Sequence, residues 1–116
     1  MREERLYNII CVAENRISVR FNPDSEVFAA HFPGQPIVPG SCLVEAARHL
    51  AEVLFGKRLA VRKLKNVKFV NIINPLVVGE CVCEFVEGKS SQEWNVAVKA
   101  GETTFAKMTI EFAYEQ

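Results

Sequence analysis

The stretch HFPGQPIVPGSCLVEAARHLAEVLF, from His31 to Phe55, divides into two unlike halves. Three prolines and two glycines fall within the nine residues Phe32 to Gly40, a density that excludes a helix or a central strand and marks a loop. Prolines narrow the conformations open to the loop before folding, so ordering it costs less entropy than ordering a generic loop of that length. Beyond it, Leu43, Ala47, Leu50 and Leu54 recur at spacings of four, three and four, the apolar stripe of an amphipathic helix. Glu45, Arg48, His49 and Glu52 lie on another side. The spacing predicts a helix over Ser41 to Phe55, with Ser41 as N-cap and Gly56 as its C-terminal stop. His31, the first of two histidines, then stands just upstream of a helix N-terminus, and Glu45 about one turn inside that helix.

The flanking sequence reads as strands. Leu6 to Val12 is mostly apolar, and after a turn at Glu14 and Asn15 the residues Ile17, Val19 and Phe21 alternate with polar neighbours. Asn22, Pro23 and Asp24 end that strand, and Ser25 to Ala30 is too short to classify. Downstream, Val67 and Phe69 flank Lys68 in a strand-like stretch ended by Asn74 and Pro75. Cys81, Cys83 and Phe85 share a face, as do Trp94, Val96 and Val98, and then Ala106, Met108, Ile110, Phe112 and Tyr114. The last three strands, joined by short polar turns, read as an antiparallel meander. A lone helix between strands buries its stripe only against the sheet, which predicts an α+β fold in one domain over residues 1–116.

Bulk properties exclude several classes. With 116 residues the core is adequate but small, which raises the expectation of an oligomer. A formal net charge of zero gives no global field for nucleic acid or an anionic membrane. No run reaches the roughly 18 consecutive apolar residues of a membrane span, and MREERLYN lacks the apolar core of a signal peptide, so a cytoplasmic protein is expected. Cys11, Cys42, Cys81 and Cys83 form no CxxC pair and have no histidine nearby to complete a zinc set. Buried free thiols in a reducing compartment and no metal are expected. No glycine-rich phosphate loop opens a helix in a βαβ setting, so no nucleotide cofactor is implied.

Taken singly, His31 reads equally as a loop-capping histidine, and Glu45 as a helix-face carboxylate beside Arg48 and His49. The rigid loop shifts the balance for His31, because functional side chains sit on loops that a scaffold holds still. Gly40 permits close approach of another group to the helix start, or is only a turn residue. Lys57 to Lys68 holds six basic and no acidic residues. It reads as a solvated edge or as a docking surface; without interleaved aromatics it does not suggest nucleic acid.

The segment HFPGQPIVPGSCLVEA, His31 to Ala46, closely resembles the signature of the 3-hydroxyacyl-(acyl-carrier-protein) dehydratases of the hot-dog superfamily, with the same separation of fourteen from histidine to glutamate. The chain resembles a short, FabZ-like member from about Leu6 to Tyr114, and VKFVNIINPLVVGE is loosely similar to a further family segment. The resemblance implies a long helix wrapped by a curved antiparallel sheet, and two subunits paired into one continuous sheet. It implies a site shared across the homodimer, with His31 of one chain as the base that removes the α-proton and Glu45 of the other as the acid for the departing 3-hydroxyl. The Gly40 N–H would receive the thioester oxygen, and the substrate would be an acyl chain on acyl carrier protein or CoA, in fatty acid or related synthesis. The acidic carrier protein is then the partner that the basic run would receive. Ser41 and His49 depart from the family, which commonly has an apolar residue and a glutamine there. The N-terminal part is also shorter than in the housekeeping enzymes. Two alternatives remain: a hot-dog thioesterase in which Glu45 activates water, and a non-catalytic acyl-binding subunit of a dehydratase complex.

Overall fold

The computed structural model describes residues 6–115. Strands β1 (Tyr7–Ala13) and β2 (Arg16–Phe21) precede two helices, α1 (Glu26–His31) and α2 (Gly40–Phe55), and strands β3 (Leu59–Phe69), β4 (Cys81–Glu87), β5 (Glu93–Ala100) and β6 (Thr103–Tyr114) follow. All six strands form one antiparallel sheet in the order β1-β2-β4-β5-β6-β3. This is the α+β hot-dog arrangement, in which the sheet wraps the long helix.

The alternation seen in the sequence sets the inner face. Ile17, Val19 and Phe21 of β2, Cys81, Cys83 and Phe85 of β4, Val96 and Val98 of β5, and Ala106, Met108, Ile110 and Phe112 of β6 are buried. They meet Cys42, Leu43, Ala46, Ala47, Leu50 and Ala51 of α2. Three alanines let the helix lie close to the sheet, while each fully buried large side chain, such as Leu50, Phe85 or Ile110, contributes about 1.5–3 kcal/mol. Curvature has a local cause. Register shifts interrupt β1–β2 at Ile9/Cys11 and β3–β6 at Val61/Lys63 and Lys65/Lys68, where Asn66 takes φ 55°. Such bulges increase twist and bend a sheet around what it covers.

Several expectations require correction. Ser25 to Ala30 belongs to a helix, capped by Ser25, whose side chain accepts from the Val27 N–H at 3.3 Å. His31 is therefore the last residue of α1 rather than part of irregular backbone, and α2 is not a lone helix. Helix α2 begins one residue early: Pro39, at φ −65° and ψ 150°, occupies the N-cap without a side-chain bond, so Ser41 lies inside the first turn. Proline's preset φ leads directly into a helix start and leaves Ser41 nothing to cap. Gly56 does end α2, at φ 67°. Most of the basic run lies within β3 itself. Tyr114, at the end of β6, is 53% exposed, and Cys11 is exposed while the other three cysteines are buried; all four are free thiols.

Candidate active site

His31 owes its setting to the C-terminal turn of α1. Its Nδ1 lies 2.9 Å from the Val27 carbonyl, four residues back. A carbonyl oxygen only accepts, so Nδ1 carries the proton and Nε2 of the neutral ring keeps its lone pair toward solvent. The side chain is exposed. That is the tautomer a general base needs.

The loop from Phe32 is tied down at both ends. The Phe32 N–H donates to Phe28 at 2.9 Å, the Gln35 N–H to Phe32 at 3.0 Å, and the Val38 N–H to Ile73 at 3.0 Å. At the helix start, the N–H groups of Cys42 and Leu43 both donate to the Pro39 carbonyl. The Gly40 N–H precedes them, at the electropositive end of a 16-residue helix, and meets no acceptor among the described residues. Close approach to Gly40 is real. A β-carbon there would lie 2.7 Å from Cε2 and Cζ of the Phe69 ring. Phe69 thus covers the side of the backbone that the missing side chain leaves open.

Glu45 keeps 36% of its side chain exposed and is gripped by Arg48, whose Nε and Nη2 donate to Oε1 at 2.9 and 2.5 Å. Arg48 also reaches Glu52 at 3.0 Å and the Leu59 carbonyl at 3.2 Å. The guanidinium between two carboxylates is held above its ordinary pKa, first through its bonds to Glu45. Burial opposes ionisation of Glu52, but the Leu59 N–H and Arg48 outweigh it and hold that carboxyl below the usual range. The single chain therefore gives Glu45 a charged partner rather than a dry apolar wall. His31 and Glu45 make no contact with each other within one chain.

One feature escaped the sequence reading. His49 is hydrogen-bonded through Nδ1 to the hydroxyl of Tyr7, a contact over 42 residues that no local pattern announces. The i, i+3 spacing of Glu45 and Arg48 does signal their pairing. Around the loop, apolar side chains stay uncovered: Phe32 is 41% exposed, Phe69 52%, Ile72 68% and Leu76 71%. A groove of about 290 Å³ lined by Pro23, Ala29, Gly34, Gln35, Pro36 and Leu76 adjoins them.

The model of the ApeI-like dehydratase family, described as ApeI dehydratase, matches residues 11–109. The 3-hydroxyacyl-(acyl-carrier-protein) dehydratase FabZ of Rickettsia africae is 39% identical over 56 residues, and that of Rickettsia massiliae 38%. These matches cover 41% of this chain and 39% of each relative, so the chain spans about two fifths of the length of the curated relatives it matches. Among solved structures, the dehydratase heterocomplex ApeI:P from Xenorhabdus doucetiae superposes with a TM-score of 0.70 at 18% identity, over 91% of this chain and 94% of that one. An uncharacterized protein from Erwinia carotovora subsp. atroseptica gives 0.66 at 21% identity, over 92% and 90%. The structural likeness carries the hot-dog fold, and the family model, covering most of the sequence, carries the rest: the chain belongs to the ApeI-like dehydratase family.

Proposed function

We propose that this protein dehydrates (3R)-3-hydroxyacyl thioesters, borne on acyl carrier protein, to trans-2-enoyl thioesters. The observation that carries the reading is the His31 tautomer: Nδ1 is spent on Val27, which leaves Nε2 as an accessible base fourteen residues before Glu45. In this reading Nε2 takes the α-proton, and the charge that builds on the thioester oxygen goes to the Gly40 N–H, assisted by the helix end. The electron pair then forms the C2–C3 double bond as the 3-hydroxyl leaves. Protonated by Glu45, it departs as water. Arg48 has Glu52 at 3.0 Å as a second partner and remains paired when Glu45 carries a proton. No contact joins His31 to Glu45 in one chain, so each site takes them from two subunits. The uncovered apolar side chains Phe32, Phe69 and Ile72 support a covering subunit, against which each would be taken out of water.

The test is a panel of 3-hydroxyacyl thioesters on carrier protein and CoA, read as enoyl product. Turnover that His31→Ala abolishes supports the reading. Absence of turnover at every chain length defeats it, and release of free thiol without enoyl product favours a thioesterase.

A second reading has two observations behind it. The Xenorhabdus neighbour belongs to a dehydratase heterocomplex, and Glu45 is ion-paired in the isolated chain. By that analogy the covering subunit is a different chain. Inactivity alone, with turnover restored by a second subunit, supports it.

A further inference from the structure

Six residues are too few to hold a helix by backbone hydrogen bonds alone, so α1 depends on what it packs against. Its one buried side chain is Phe28, 0% exposed. Phe28 rests against Phe21 of β2 with ring centroids 6.4 Å apart, and Phe21 meets Tyr7 of β1 nearly edge-on at 5.8 Å. Tyr7 in turn lies 5.8 Å from the His49 ring, to which its hydroxyl is bonded. A continuous path of rings therefore leads from α2 to α1. The backbone follows it: the Asn22 N–H donates to Leu6 at 2.8 Å and the Ser25 N–H to Asn22 at 3.1 Å, just before the α1 cap.

The reaction proposed above uses neither Tyr7 nor His49. Tyr7 is 2% exposed, and phenylalanine would fill the same space without a hydroxyl that must find a partner. That partner sits on α2 one turn beyond Glu45. Phe28 is the one fully buried side chain of α1, with Val27 partly buried beside it, so whatever fixes the Tyr7 ring also bears, through Phe21, on the ground on which His31 stands.

We propose that Tyr7 and His49 are positioning residues: their hydrogen bond sets the Tyr7 ring against Phe21, Phe21 holds Phe28, and Phe28 holds α1 and His31 in place. The consequence for turnover rests on the dehydratase reading of His31; the mechanical link to α1 does not. The test uses the full chain with Tyr7→Phe, His49→Leu and His49→Gln. Residue-resolved amide exchange reads α1 directly, at the Phe32 N–H bonded to Phe28, and turnover is measured on the same samples. Tyr7→Phe and His49→Leu should speed exchange in α1 about tenfold and leave β5 and β6 unchanged. They should also lower kcat five- to tenfold with KM within twofold, and the double variant should be no worse than either single one, since both remove the same bond. His49→Gln, whose side-chain carbonyl accepts the Tyr7 hydroxyl, should restore both readings. Unchanged α1 exchange in Tyr7→Phe and His49→Leu overturns the proposal. So does loosening spread evenly over the sheet, or a loosened α1 with unchanged kcat. A chain that turns over no hydroxyacyl thioester, yet shows faster α1 exchange in both variants, removes the dehydratase reading and leaves the link standing.

Discussion

Replacing Gly40 by alanine separates the stability of the site from its chemistry. The added methyl lies 2.7 Å from two atoms of the Phe69 ring, against an ordinary carbon–carbon contact of about 3.5–4.0 Å, so the ring must withdraw by about 1 Å. It has room to do so. Phe69 is 52% exposed, and the atoms concerned are the far edge of its ring, which puts the cost at about 0.5–1.5 kcal/mol, that of an off-rotamer torsion. Alanine in a helical position returns about 0.4–1 kcal/mol by restricting the unfolded chain. The two effects nearly cancel, and Tm should move by less than about 5 °C. Activity should respond on another scale. Alanine keeps the N–H proposed to receive the thioester oxygen, so turnover falls only in so far as the methyl and the displaced Phe69 ring block the oxygen's approach, with the loss of one such donor, about 10²–10³ in kcat, as the ceiling. Thermal melting and enoyl formation, measured on Gly40→Ala, Phe69→Ala and the double variant, test both halves. Removing the ring should relieve the strain, a coupling of about 0.5–1.5 kcal/mol, without restoring turnover. A loss above about 3 kcal/mol that Phe69→Ala does not relieve would refute the assigned contact. Full activity in Gly40→Ala would refute the need for open space beside its N–H.

Three further outcomes follow from the geometry. If the site is shared between two copies, mixing His31→Ala with Glu45→Ala chains regenerates one complete site per mixed dimer, so part of the activity returns; no recovery after exchange confirmed by mass measurement refutes the shared site. Glu52 is held below its ordinary value of 4.5, so its contribution to stability is complete above that pH and is lost as pH falls through the lower folded value. Denaturant titrations of Glu52→Gln should therefore show a shallower loss of stability than the unaltered protein below about pH 4.5, and parallel curves would contradict this. Burial pushes Cys81 up to about 11 and Cys83 to about 12, and raises Cys42, while Cys11 is exposed. Alkylation of the native protein at pH 8 should modify Cys11 first, with four thiols titrating after denaturation without reductant; mass mapping of the modified peptides checks the order.

Local period made much of the fold legible. The stripe Leu43, Ala47, Leu50 marked α2, and the alternations ending at Phe21, Phe85 and Phe112 marked buried strand faces, because burial of one side acts on residues close in sequence. The start of α2 was misplaced by a residue for a reason that is also local: Pro39 presets its own φ, which a search for a side-chain cap overlooks. The helix α1 was missed because one buried residue in six leaves no period to read.

The site divides along the same line. The amino-acid order alone determined the order and sequence spacing of His31, Gly40 and Glu45, and, through helical rise, the distance from the start of α2 to Glu45. Only the tertiary structure decided which distant groups reach them: Phe69 lying on Gly40, and Tyr7 reaching His49 one turn beyond Glu45. Contacts that join β1 or the end of β3 to α2 cross tens of residues. They form only when the whole sheet closes on the helix, so no window of sequence contains them.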